Sequence, residues 1–200
     1  MNKKFIFLNG LKVNLQENRI RVRLGYKAKT GEVNSSVSQY LEELKPLLPD
    51  LIKPKAVYTV LDYEETNKHP VFKEAEKTAL CLCTIGPELE KECSNLMERG
   101  DILKGFVLDC LGSEAVEDTA RQSDRIIAEK ARNMGLWPSK RFSPGYGIWD
   151  IKEQKYVFNI LPSDKLGVRL TDTCIMVPRK SISFRINFYR KKEFSTRRFK

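Results

Sequence analysis

From Asp101 to Gly135 apolar residues return at helical spacing: Ile102, Leu103, Phe106, Val107 and Cys110, then Ala115, Val116, Ala120, Ile126, Ile127 and Ala131. Asp101 is a good capping residue and Gly135 a good stop, with Gly112-Ser113 as the place for a break if the helix has one. A helix this long must lay its apolar side on a sheet or on other helices. The chain supplies both. Ala56 to Leu61 and Thr78 to Ile85 have the β-branched, apolar makeup of strands, and Gly86-Pro87 stops the second. Pro87 suits the first position of a helix carrying Leu89, Cys93, Leu96 and Met97 and ending at Gly100.

Upstream, Val37, Tyr40, Leu41, Leu44 and Leu48 place a helix over 36–48, closed by Pro46 and Pro49. Residues 17–26 alternate charged and apolar side chains before turns at Gly25 and Gly31. Downstream, Leu136 to Trp149 is a loop, and Asp150-x-x-Glu153 is a capping box for a short helix through Leu161. Lys165 to Met176 and Ser181 to Tyr189 read as two closing strands. In the second, Ile182, Phe184, Ile186 and Phe188 alternate with Ser183, Arg185 and Asn187, as in a half-buried strand. Strands and helices do not alternate strictly. The expectation is therefore a single α+β domain over residues 1–189, an antiparallel twisted sheet with flanking helices, followed by a basic C-terminal tail at 190–200.

Charge is concentrated at that tail. The 36 Lys and Arg exceed the 26 Asp and Glu by ten, and eight of that excess lies between Arg179 and Lys200. Phe184, Phe188, Tyr189, Phe194 and Phe199 are interleaved with these charges, which keeps a basic nucleic-acid-binding domain as one reading. The alternation argues against it, because it puts the aromatics up to Phe188 in the core and leaves 190–200 as a solvated tail suited to an acidic partner. No stretch approaches the roughly 20 apolar residues of a membrane span. The opening apolar run is too short for a signal peptide and lacks a small-residue cleavage site, so a soluble, cytoplasmic protein is expected.

Cys81, Cys83, Cys93, Cys110 and Cys174 are odd in number and mostly sit in apolar runs, which predicts reduced, core-packed thiols. Cys81-x-Cys83 has the wrong spacing for a zinc knuckle. The single histidine, His69, reads as a loop residue before proline. Its solitude excludes two-His metal motifs, multi-His zinc sites and any His-containing triad that does not pass through it.

Chemistry is concentrated in the loop Lys140-Arg141-Phe142-Ser143-Pro144-Gly145-Tyr146-Gly147. Glycines let backbone amides approach a ligand, and proline fixes the shape. Arg141 can grip a carboxylate or phosphate through two parallel hydrogen bonds. Tyr146 adds a flat face and a hydroxyl. Together they suit a ligand with an anionic end and a planar ring, although many structural turns share this makeup. Neither phosphate-binding glycine motif is present.

Arg141-x-Ser143-Pro144-Gly145-Tyr146 resembles the Arg-x-x-x-Gly-Tyr signature of the reactivation (activation) domain of cobalamin-dependent methionine synthase. Further segments resemble that family in order and spacing. They are Thr84-Ile85-Gly86-Pro87-Glu88-Leu89, the stretch Leu108-Asp109-x-Leu111-Gly112-Ser113-x-Ala115-Val116-Glu117, and Leu161-Pro162 with Leu166-Gly167-Val168-Arg169-Leu170-Thr171. Met176-x-Pro178-x-Lys180-Ser181-Ile182-Ser183-Phe184 follows, and Arg23-Leu24-Gly25-Tyr26 is similar to the short stand-alone members.

The resemblance implies a domain that binds S-adenosylmethionine and supports reductive methylation of oxidised cob(II)alamin. The cobalamin would be carried by a partner corrinoid protein, with flavodoxin or a similar electron donor. By position match Arg141 would bind the methionine carboxylate, while Ser143, Gly145 and Tyr146 would line the nucleoside and methionine pocket. Glu117 is an acidic candidate for a further ligand contact. Corrinoid-binding Asp-x-His-x-x-Gly, the zinc thiolate site and the folate barrel are all missing, so the chain would act in trans. Its enzymatic role would be the reactivation half-reaction of a methyltransferase. Methyl transfer to a strongly nucleophilic cobalt needs positioning rather than an acid–base pair, which agrees with the composition. The alternatives are a non-catalytic assembly module of a corrinoid methyltransferase system and the nucleic-acid-binding domain. Trp137 and Trp149 flank the loop, where they can fold over a ligand but chiefly pack the loop down, and the consecutive Tyr156, Val157 and Phe158 hint at an interface.

Overall fold

The structure is a computed structural model that describes residues 3–30, 32–66, 72 and 75–190. The expected turn at Gly31, the loop residue His69 and the tail beyond Arg190 lie outside the described residues. The main sheet contains β1 (Ile6–Leu8), β2 (Lys55–Asp62), β3 (Lys77–Thr84), β4 (Trp137–Pro138) and β7 (Ser181–Tyr189), in the order β1-β2-β3-β7-β4 with every pairing antiparallel. β5 (Arg169–Leu170) and β6 (Met176–Val177) form a separate hairpin. The helices are α1 (Glu17–Arg23), α2 (Ser35–Leu44), α3 (Leu48–Leu51), α4 (Tyr63–Thr66), α5 (Glu88–Glu98), α6 (Ile102–Asn133) and α7 (Gln154–Ile160). Among the described residues no helix is long and apolar enough to cross a membrane.

α6 organises the molecule, as its periodicity predicts. Its second half lays Ala120, Ile127 and Ala131 on the face formed by Ala79, Cys81 and Cys83 of β3 and Phe184, Ile186 and Phe188 of β7. Small residues let the helix come close. Its first half joins α1, α2, α3 and α5 in a second cluster that includes Ile20, Leu44, Leu89 and Leu111. The opposite sheet face, with Val57, Leu80 and Leu82, is covered by Trp149, Val157, Leu161, Leu166 and Val168.

Several expectations are corrected. The helix does not break at Gly112-Ser113. A Cβ at Gly112 would lie 2.4 Å from Leu89 Cδ2, so the glycine is where α5 crosses α6. Because that crossing needs small residues, Gly105 faces α5 and Ile102, Leu103 and Phe106 are left largely exposed. Asp101 stands at the cap position, but its side chain makes no capping bond. Residues 17–23 are helical around the buried Ile20, and the alternation there has no counterpart in a strand. The helix expected over 36–48 ends at Leu44, with Pro46 and Pro49 in the short turns that follow. Pro87 caps α5 from just outside rather than opening it.

Lys165–Met176 is not one strand. Ser163–Leu166 is a single 3-10 turn, Gly167 takes the left-handed conformation at φ +71°, and only the short β5–β6 hairpin pairs. β7 is buried on both faces rather than half-buried: Ser183 and Asn187 are covered with Phe184 and Phe188. Tyr156 and Phe158 are partly covered and Val157 is fully buried. All five cysteines are free and buried, as anticipated.

Candidate functional site

A cleft opens where the edge of β7 loses its neighbour. β4 pairs only with the end of β7, through Trp137↔Tyr189 and Pro138↔Phe188. The chain stays attached through Ser139 N–H to the Asn187 carbonyl (2.8 Å) and a reciprocal bridge, Phe142 N–H to Arg185 O (3.0 Å) and Arg185 N–H to Phe142 O (2.8 Å). It then leaves the sheet. By the alternation of an antiparallel strand, Ser183 turns its N–H and carbonyl to this same edge, beyond the last bridge. Ser183 Oγ donates to Oε1 of Gln154 at the start of α7 (2.6 Å), and both residues are buried.

The departing chain folds into a tight turn. Gly145 has φ +91°, which an L side chain adopts only at a cost, and its N–H donates to Trp149 O (2.7 Å). Trp149 N–H returns to Tyr146 O (3.0 Å), and Tyr146 N–H meets Ser143 O (3.3 Å). Trp149 is wholly buried beneath the turn, 6.2 Å from Phe142 with nearly parallel rings and 5.6 Å edge-on from Phe72. It packs the loop down, whereas Trp137 on β4 is about half exposed.

The result is a cleft of about 480 Å³, with walls that include Glu117, Arg141, Ser143, Tyr146, Gln154 and Ser183 and with Ile151, Met176 and Ile182 as apolar contributors. That volume falls within the roughly 300–1,000 Å³ of small-molecule sites. Arg141 Nη2 donates to Oε2 of Glu117, across from it on α6, at 2.5 Å. The Arg141 guanidinium also lies 5.9 Å from the Phe184 ring. Both members of the pair keep about a third of their side-chain surface, 27% and 32%, so solvent or a ligand can reach them. Tyr146 stands at the mouth, 68% exposed.

Of the four site residues expected from sequence, Arg141, Ser143 and Tyr146 line the cleft. Gly145 does not. It shapes the turn from behind, where a Cβ would lie 3.2 Å from Ile151 Cδ1. Sequence reasoning missed Gln154, Met176 and the β7 edge as walls, because only strand order brings them here. The stretch from Met176 to Phe184 was nevertheless among the segments that resembled the family. Phe184 and Phe188 are fully buried in the core, so they offer no stacking platform.

No family model matches the chain, and no curated protein matches it significantly. Among solved structures it is similar to the crystal structure of the MetH reactivation domain bound to AdoHcy, with a TM-score of 0.71 over 96% of this chain and 79% of that one, at 14% sequence identity. The chain has the fold of that reactivation domain. The α+β class with an antiparallel sheet and flanking helices, anticipated from the order of elements, is the class of the MetH domain as well.

Proposed function

We propose that the cleft binds S-adenosylmethionine and that the chain serves in the reactivation of a corrinoid protein. The observation that carries this reading is the Arg141–Glu117 pair, set beside the Ser143–Tyr146 turn on a fold whose solved example holds AdoHcy. One cation and one anion side by side match the carboxylate and ammonium of an α-amino-acid end. The Tyr146 ring and the apolar Ile151, Met176 and Ile182 suit a nucleoside. The backbone groups of Ser183, turned to the unpaired edge, offer a donor and an acceptor to a base without any side chain.

In such a reaction S-adenosylmethionine supplies the methyl group. S-adenosylhomocysteine would leave, and a flavodoxin-like or other donor would supply the one electron that the partner's oxidised cobalamin needs. The work left to this chain is to bind, orient and shield, which needs no general acid or base. The exposure of Tyr146 at the mouth and of the Arg141–Glu117 pair is consistent with that division, since a partner must approach the cleft.

Calorimetric titration with S-adenosylmethionine and S-adenosylhomocysteine tests the reading. Saturable binding that weakens at least about tenfold in Arg141→Ala is expected, because a bidentate charged contact is lost. Wild-type protein that binds neither compound would overturn it.

A further inference from the structure

Arg185 occupies an unusual position. Its guanidinium sits among three aromatic rings, 5.1 Å from the Phe142 centroid, 5.7 Å from Trp149 and 5.8 Å from Phe72. Its Nε is buried without a hydrogen-bond partner, and it forms no ion pair among the described residues. Burial pushes its pKa below the ordinary arginine value. A partly buried cation whose Nε has no hydrogen-bond partner costs stability that its ring contacts offset only in part, and an apolar side chain of similar length would avoid that cost. Its presence therefore asks for another reason.

The rings it touches supply one. Phe142 lies between Arg141 and Ser143 in the chain, and Trp149 closes the turn that carries Gly145 and Tyr146. Phe142 and Trp149 lie within 10° of parallel, so one flat guanidinium can pack against both. The Arg185 backbone meanwhile holds Phe142 through the reciprocal bridge. The rear of the loop is thus fastened at one residue. We infer that Arg185 is a positioning residue, fixing the Phe142–Trp149 loop in the shape that brings Arg141, Ser143 and Tyr146 to one cleft. As a statement about ligand binding this rests on the proposed function, and as a statement about the loop it does not.

The test compares wild type, Arg185→Met and Arg185→Lys by thermal melting, by amide hydrogen exchange at Phe142, Gly145 and Trp149, and by titration with S-adenosylhomocysteine. In Arg185→Met the melting temperature should hold or rise while those three amides exchange about tenfold faster, the mark of local opening. Affinity for S-adenosylhomocysteine should fall about fivefold, and Arg185→Lys should not restore it, since a compact ammonium cannot span two rings. If wild type binds no S-adenosylhomocysteine while the Arg185→Met loop amides still accelerate, the positioning role stands and the ligand reading fails. Wild-type exchange rates in Arg185→Met, or full restoration by Arg185→Lys, would overturn the inference. So would a lowered melting temperature with faster exchange throughout β3 and β7, because that marks a general core residue.

Discussion

Arg141 and Glu117 meet across the cleft from a loop and from the middle of α6, and each is open enough to exchange its partner for a ligand group. Glu117→Gln keeps the shape and removes the charge. Losing one charge-assisted hydrogen bond is worth about 1.5–3 kcal/mol, so S-adenosylmethionine binding should weaken about ten- to hundredfold by calorimetry. The melting temperature should move little, since partly exposed pairs contribute about 1 kcal/mol or less. Gly145→Ala acts differently. Its φ of +91° and the nearby Ile151 oppose a side chain, and forcing one there costs about 1–2 kcal/mol. A drop of about 2–4 °C per kcal/mol is expected in a chain of this size, together with weaker binding. An alanine variant with unchanged melting and affinity would show that the turn tolerates the substitution.

At the scale of elements, the crossing of α5 over α6 is the most demanding contact. Gly112→Ala would raise intrinsic helix propensity by about 1 kcal/mol. It would also drive a methyl group into Leu89 at 2.4 Å, and overpacking costs about 1–3 kcal/mol. The clash should win, with a lower urea midpoint at unchanged slope. A higher midpoint would mean that Leu89 has room to turn away. The β7 edge shows the same dependence on neighbours. Its first residues pair with β3 on one side but have no strand on the other, because the chain departs after Phe142, and the cleft exists for that reason.

For the whole molecule, four of the buried thiols, Cys81, Cys83, Cys93 and Cys110, carry a pH dependence. Burial pushes Cys83 and Cys93 up to about 12 and raises Cys81 and Cys110 as well. The native state thus holds protons that the unfolded chain releases near its ordinary thiol pKa of about 8.5. The stability these groups contribute is complete below that value and is lost as pH rises toward about 12. Urea midpoints should fall between pH 8 and pH 10.5, and less steeply in Cys93→Ala. At pH 8 a thiol reagent should react slowly with native protein and with all five cysteines after denaturation. Rapid native labelling would contradict the burial.

Much of the fold was legible because periodicity is local. The stripe on α6, the apolar runs of β2 and β3 and the Asp150 cap, whose Oδ1 accepts from Lys152 N–H at 2.8 Å, each express a preference settled within a few residues. The same holds for the Arg141–Tyr146 hexad, whose glycine and proline specify a turn wherever it is placed. What neighbours impose at long range was not legible. Residues 17–23 became a helix because Ile20 had a core to enter, and β7 was covered on both faces because the loop and α7 fold back over it. Sequence offered Glu117 as an acidic candidate on the long helix but not what it would face. Only the packing of α6 on the sheet, and a strand order that seats β7 between β3 and β4, set it opposite Arg141. Local pattern was enough for α6, α5, β2, β3 and the turn of the Arg141–Tyr146 loop. Tertiary structure alone decided the cleft, because its walls come from segments far apart in the chain whose meeting depends on the burial of everything between them.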